Sequence, residues 1–391
     1  MSRLSYRKDI LNCDLTKFPA VIYLALIFFI SRLPFIALGF SAFTNPTDQD
    51  VLAVVNSAYL LRYDHTYTVS RFPGYPLYEF VNALFIGGGW IATNTATLVV
   101  SFVCVIIFAR ILNLFKIKNK ALLVFTFAFI PIIWINSAIT MDYMWSLMFI
   151  MLGVYLVFLG KYPMAGIAIG LAIGSRFTSA FMIIPLFFWA LQKKEKIKDI
   201  MIFVYSAMGT ALVVFLPVFY KYKLEILQGS GFLSTTPIRN PTSMITGQAL
   251  GNIAMDLFGL AALIFLIFSV LLTFKNKPAS KNKDLLNFCW LTIIIFTLLY
   301  FIFPYKVAYL IPIVPWSIVV INENLKKTFT VIICVLLLLN GIVSIKVINE
   351  EKLPAVKFDS GIVLQNYEER KSASIEQSIE YLESLSDVIK K

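Results

Sequence analysis

Long apolar runs recur along this chain from Phe18 to Lys346, and they constrain the fold more than any other feature. Runs of that length exceed what strands or the core helices of a soluble domain need. They lack the alternation in stretches of about ten residues that a membrane β-barrel would show. Composition agrees. Of the 391 residues, 59% are hydrophobic and only 14% are charged. One soluble core cannot hide that much apolar surface. The expected class is an all-α polytopic membrane protein. A soluble enzyme, a nucleic-acid module and a disordered chain are excluded.

The net charge of +12 takes its meaning from its placement. Basic clusters fall at Arg3–Lys17, Arg110–Lys120, Lys161, Lys193–Lys198, Lys275–Lys283 and Lys326–Lys327, and hold 19 of the 34 Lys and Arg. They lie between apolar runs, which points to the cytoplasmic loops of a membrane protein and away from nucleic acid. Candidate spans are 18–39, 93–115, 121–140, 143–160, 164–191, 200–219, 252–274, 285–303, 307–321 and 328–346. All clusters reach one side only if 164–191 enters and leaves on the same side, as a short helical hairpin with Arg176 near its tip. The expectation is then about eleven transmembrane helices, N-terminus inside and C-terminus outside. A seventeen-residue, largely polar stretch precedes the first run, so 18–39 reads as a retained span and not a signal peptide. The scattered Cys13, Cys104, Cys289 and Cys334 form no metal or redox motif. The single His65 excludes multi-histidine metal chemistry.

The expected domain is a transmembrane unit over 1–346, followed by a short extracytoplasmic tail over 347–391. Its first outer loop, 40–92, carries amphipathic stretches at 50–62 and 74–86. The second, interrupted by Glu79 and Asn82, is placed along the outer interface. The second outer loop, 220–251, contains Arg239.

Acidic residues outside the tail are scarce. Asp48, Asp50 and Asp142 fall where the outer water meets the membrane. A carboxylate at that depth is costly, so it usually lines a cavity or works. The plainer alternative is helix capping, by Asp142 before Tyr143 and by Asp48 or Asp50 at the start of the 50–62 stretch. The string Arg71-Phe-Pro-Gly-Tyr-Pro-Leu-Tyr78 puts a cation ahead of two prolines and an aromatic helix. Arginine suits a phosphate, although an interfacial arginine snorkelling among tyrosines would look the same. Arg176, inside an apolar hairpin, needs an anion or carbonyls. Arg239 and Lys306 are weaker candidates, each readable as an ordinary loop charge. His65 reads as surface decoration.

The order of these features resembles the GT-C superfamily of integral-membrane glycosyltransferases, and within it the protein O-mannosyltransferase and lipid A aminoarabinose transferase branch. The likeness covers about residues 18–190. It rests on Asp50-Val-Leu-Ala-Val-Val-Asn-Ser-Ala58, with its acid followed by alanine eight residues on, and on the string from Arg71 to Tyr78. It continues with the span ending at Asp142 and the glycine-rich run Ala165–Arg176. The chain departs from the pattern in three places. Val51 follows Asp50 where an acidic residue is frequent, so Asp48 stays a rival for the base. Arg71 stands where lysine is frequent, with Phe72 in place of a proline. The large soluble outer domain of some relatives is missing.

The resemblance implies an inverting transferase with a polyprenyl-phosphate-sugar donor and a lipid, glycan or protein acceptor, working among membrane lipids at the outer face of the cytoplasmic (inner) membrane. It implies Asp50 as general base, Arg71 on the donor phosphate with Arg176 or Lys306 assisting, Asp142 as an orienting acid, and Tyr75 and Tyr78 flanking sugar or lipid. No cofactor is demanded. Two outer carboxylates leave room for a divalent cation. The alternatives are a lipid-linked-sugar flippase or secondary transporter, and a glycan polymerase or ligase.

Overall fold

The computed structural model describes residues 19–41, 48–223, 250–273, 282–302, 304, 306–350, 353–360 and 367–389. The described chain is helical over almost all of its length. The first apolar run forms α1 (Pro19–Arg32) and a 3-10 turn, Leu33–Ala37. The first loop carries α2 (Gln49–Tyr59), closed by a π turn, Leu60–Asp64, and then α3 (Pro76–Phe85). A 3-10 turn at Ile86–Gly88 leads into α4 (Gly89–Leu114). Next come α5 (Lys120–Phe129), α6 (Pro131–Asn136), α7 (Tyr143–Phe158) and α8 (Tyr162–Ser175). A 3-10 turn at Phe177–Met182 precedes α9 (Ile183–Gln192), and α10 runs Ile197–Tyr222. A π turn, Asn252–Leu257, introduces α11 (Leu260–Thr273), followed by α12 (Lys283–Ile302). A 3-10 turn, Val307–Ile313, leads into α13 (Val314–Asn324), and α14 spans Lys327–Leu339. An antiparallel hairpin of β1 (Val343–Glu350) and β2 (Leu353–Ser360) precedes α15 (Tyr367–Ile389).

Four helical stretches are long and apolar enough to cross a membrane: Pro76–Leu114, Ile197–Tyr222, Lys283–Ile302 and Val307–Asn324. Seven shorter apolar helical stretches accompany them. Large apolar side chains stay exposed on α10 (Met208, Leu212, Leu216), α11 (Ile264, Ile267, Leu271) and α12 (Trp290, Ile294, Leu298). In each helix they recur at three- or four-residue spacing, so one face is apolar and outward. Such stripes suit a helical membrane protein, whose outer solvent is hydrocarbon.

Prolines and glycines explain where the runs break. Pro131 lacks the N–H that a continuous helix would need, and it starts α6 after α5 has closed on Ile130. The run at 164–191 does break at Arg176, whose extended backbone (φ −159°, ψ 113°) ends α8. Its two ends return to one side, since Trp189 near the end of α9 packs on Phe158, just ahead of the start of α8, with 4.5 Å between ring centres. The last apolar run is shorter than expected. The helix stops at Leu339, and 343–346 belongs to β1 instead of to the span 328–346. The reason is local: after Asn340-Gly341, β-branched Val343, Ile345 and Val347 alternate with Ser344 and Lys346, a period of two that suits a strand.

The loops sort to two ends. At one end, Asn119 donates to Asn322 (3.0 Å), Asn282 donates to the Phe115 carbonyl (3.4 Å), and Lys193 pairs with Asp284. These contacts gather the basic turns at 116–120, 193–198, 282–284 and 326–327. Helices α4, α7, α8 and α12 each run from that end to the opposite one. At the opposite end α15 docks on the start of the first loop, where the Phe40 amide donates to Ser378 Oγ (3.1 Å) and Ser41 meets Ser374 (3.1 Å). Gly39, with φ +83°, lets the two backbones approach, since a Cβ there would strike the Ser374 carbonyl oxygen at 2.5 Å.

Candidate functional site

Four separate parts of the chain, joined by Arg176 from the break after α8, bring six charged side chains to one place. The first is the start of α2. Asp48 takes an extended conformation (φ −63°, ψ 101°), and its Oδ1 accepts the Asp50 amide hydrogen (3.0 Å), so Asp48 is the cap of α2. Capping directs the Asp50 carboxylate, in the first turn, outward from the helix end.

The second part is the loop before α3. Glu79 of α3 is fully buried. Its Oε1 accepts from the Ser70 amide (2.7 Å) and the Ser70 hydroxyl (2.5 Å), and its Oε2 from the Tyr67 hydroxyl (2.5 Å). Burial, with the Glu79 charge beside it, pushes the Tyr67 phenol far up, so that hydroxyl stays a donor. The tip of α10 holds the same loop: Tyr222 accepts the Val69 amide hydrogen (3.1 Å) and Lys221 donates to the Tyr67 carbonyl. The next residue, Arg71, is thereby aimed. Its guanidinium lies 4.5 Å from the Tyr75 ring centre, a cation–π distance.

The third part is the turn between α6 and α7. It is pinned by Arg32 Nε donating to Ser137 (3.0 Å), by the Thr140 amide donating to the Phe40 carbonyl (3.0 Å), and by Thr140 donating to Asn94 (2.9 Å). Asp142 follows, with 0% of its side chain exposed. Its carboxylate does not cap α7. It is the hub: Oδ1 accepts from Arg71 Nη2 (2.8 Å) and Oδ2 from Arg176 Nη1 (2.8 Å). Arg176, at the break after α8, is also sandwiched by Tyr143 (4.6 Å) and Tyr309 (4.5 Å).

The fourth part is Lys306, ahead of the 3-10 turn at Val307–Ile313. Its Nζ donates to Asp48 Oδ1 (2.6 Å) and Asp50 Oδ2 (2.7 Å), and Arg71 Nη1 lies 3.1 Å from the same Asp50 oxygen. Among the described residues Asp50 Oδ1 accepts no hydrogen bond. Three carboxylates and three cations therefore close a chain, Arg176–Asp142–Arg71–Asp50–Lys306–Asp48, of zero net charge.

Exposure grades along that chain. Asp142 is sealed, while 23% of the Asp50 side chain and 32% of Lys306 face outward. Burial alone would raise the Asp50 carboxyl, but Arg71, then Lys306 and Arg176, hold it below the usual carboxylate range. Burial would likewise lower Lys306, but Asp50 and Asp48 hold it above the usual lysine value. Both groups are charged near neutral pH. Among the described residues no three His, Cys, Asp or Glu side chains are grouped to hold a metal ion. The space between Asp48 and Asp50 is taken by the Lys306 ammonium.

Of the residues singled out in the sequence, Asp48, Asp50, Asp142, Arg71, Arg176, Lys306 and Tyr75 meet here. Tyr78 makes no hydrogen bond to these charges: it is 1% exposed, and its ring centre lies 5.9 Å from that of Trp145. Arg239 lies outside the described residues. Sequence reasoning missed Tyr143, Tyr309 and the grip of Glu79. Tyr309 had a usable signal, since residues three apart eclipse on a 3-10 turn and so Lys306 and Tyr309 share a face. No protein-family model, curated protein or solved structure matches this chain.

Proposed function

We propose that this protein is an inverting glycosyltransferase that uses a sugar on a polyprenyl phosphate at the extracytoplasmic face of the cytoplasmic membrane. One observation carries the reading: an outward-facing carboxylate, Asp50, sits against two outward-facing cations, Arg71 and Lys306, at one end of an apolar helical bundle. Transfer from a lipid phosphate needs that combination beside hydrocarbon. An acceptor hydroxyl attacks the anomeric carbon and gives its proton to Asp50. The bond from that carbon to the phosphate oxygen breaks, and polyprenyl phosphate leaves with the electron pair. Arg71 and Lys306 meet the charge that grows on the leaving phosphate. Arg176 and Asp142 hold Arg71 in place from behind. Tyr75 and Tyr309, on the guanidinium faces, offer aromatic surface to sugar or isoprenoid. Asp48 caps α2 and shares Lys306, which supports Asp50 over Asp48 as base.

The orientation belongs to the same proposal. The eleven apolar helical stretches are taken as eleven spans, GT-C-like in order, with the basic turns and N-terminus inside and the site and α15 outside. The gathering of basic turns at the end away from Asp50 supports it. Several stretches have only 10–17 residues, below the ~20 that cross hydrocarbon unaided. The π turn Asn252–Leu257 extends one of them, Leu260–Leu272, and α8 and α9 form the hairpin. A transporter of lipid-linked sugars is the second reading, favoured by the buried Asp142–Arg176 pair.

Purified wild type and Asp50→Asn, given a panel of polyprenyl-phosphate sugars with native membrane extract as acceptor, separate these readings. Sugar transfer with release of polyprenyl phosphate is expected from the wild type, falling by about 10²–10⁴-fold in the variant. Folded wild type that releases nothing from any donor overturns the transferase and leaves the transporter.

A further inference from the structure

The cations placed to receive a phosphate are already occupied, and by the same carboxylate that the reaction needs. Asp50 Oδ2 holds both Arg71 Nη1 (3.1 Å) and Lys306 Nζ (2.7 Å). An anion arriving from the open side meets Lys306, Arg71 and Asp50 first, because Asp142 is sealed and Arg176 is nearly so. It enters a site with no net positive charge to spare.

We infer that Asp50 is a masked base: both cations sit on its Oδ2 and balance its charge, the donor's phosphate takes Arg71 and Lys306 from it, and only in the donor-bound protein is the carboxylate released from both. This rests on the transferase reading above and adds an order to it. Donor binds first, and the acceptor hydroxyl is deprotonated second. Water meeting the empty site finds a carboxylate whose charge is already balanced by two cations on Oδ2.

The neighbours decide how far the mask can lift. On α2 itself Asp48 shares Lys306. From the loop before α3 comes Arg71, and from the segment before the 3-10 turn comes Lys306. From the end of α8, Arg176 acts on Asp50 at longer range. From the α6–α7 turn, Asp142 holds the second arm of Arg71. Arg71 therefore has an anchor that a ligand does not reach, and it can pivot toward phosphate without leaving the site. Lys306 sits on a single flexible chain that is one-third exposed. With both cations turned to phosphate, the forces that hold the Asp50 carboxyl low are shared with the ligand. Its proton affinity then rises toward that of an ordinary or buried carboxyl.

Competition makes a prediction that simple charge reasoning about an intact donor site does not. Asp50→Asn removes the competitor and keeps the shape, so the variant should bind a phosphodiester more tightly than the wild type, on the order of tenfold. The probe is methyl farnesyl phosphate, a lipid phosphodiester whose single charge does not titrate in the range used and which carries no sugar to transfer. Binding is followed by calorimetry on the full chain in detergent, in buffers of different ionisation enthalpy, from neutral to mildly acidic pH. The wild type should take up protons on binding, and its affinity should rise as pH falls, because the complex holds the proton that the free site refuses. Asp50→Asn should bind tightly, without that uptake and without that slope. Equal or weaker binding by a folded Asp50→Asn overturns the mask while leaving the transferase reading intact. So does wild-type binding with no proton uptake, a measurement that needs no variant. Failure of the wild type to bind the probe at all overturns both the mask and the phosphate site beneath it.

Discussion

Asp142 and Asp48 have the same chemistry and opposite settings. Asp142 has no exposed surface, and both of its oxygens are committed to arginines. Asp142→Asn would leave two guanidiniums against one neutral amide in a dry site, which costs about 3–5 kcal/mol when a buried pair is broken. Asp48→Asn keeps an oxygen that caps α2, since asparagine caps as well as aspartate. It loses only its half-share of the partly exposed Lys306, about 1 kcal/mol. Thermal unfolding of the two variants in detergent should therefore differ clearly, with Asp142→Asn far lower. Comparable losses would mean that Asp142 is not the hub of the network. The sequence pointed to both residues but not to this difference. Both stand beside apolar runs, and only packing seals one of them.

Among the elements, α8 and α10 form the seam that sets Arg176. Gly166, Gly170 and Gly174 recur every four residues, so they line one face of α8. A Cβ at Gly170 would meet Thr210 Cβ at 2.5 Å and the Ala207 carbonyl at 2.7 Å. A Cβ at Gly209, on α10, meets nothing within 4 Å. Gly170→Ala should destabilise by about 1–3 kcal/mol through overpacking. Gly209→Ala should be neutral, or stabilising by up to about 1 kcal/mol from helix propensity. Unfolding midpoints moving in the same direction by the same amount would refute the seam. The glycine run was visible in the sequence, but the sequence could not say which helix it approaches, because spacing names a face and not a partner. Only the first residues of β1, 343–346, fall within the expected span, because an apolar β-branched run looks alike to either state until its neighbours are known.

For the whole molecule, the docking of α15 on Phe40 and Ser41 puts the C-terminal helix on the side that holds His65 and the charged site. The turn with Lys194 lies at the other end, joined to α12 through Lys193 and Asp284. Single cysteines at the exposed positions His65 and Glu376 should both react with a membrane-impermeant maleimide from outside intact cells. A cysteine at Lys194 should react only after permeabilisation. Labelling of 65 and 376 from opposite sides would contradict the docking. Labelling of 194 from outside would reverse the proposed orientation.

The sequence by itself determined the class of molecule, most of the places where its helices start and stop, and which rare polar residues stand beside apolar runs. Those properties are local. Apolar length, basic turns, prolines and an arginine in a hydrophobic run act through their immediate neighbours and the solvent. The tertiary structure alone decided that Lys306 comes to Asp48 across 258 positions, that Glu79 grips the Arg71 loop, and that Tyr78 packs against Trp145. It also decided that Asp50 is held by Arg71 and Lys306. Charges find partners at distances that only helix packing sets. Packing sums many weak contacts spread over the whole chain, and no window of sequence contains that sum.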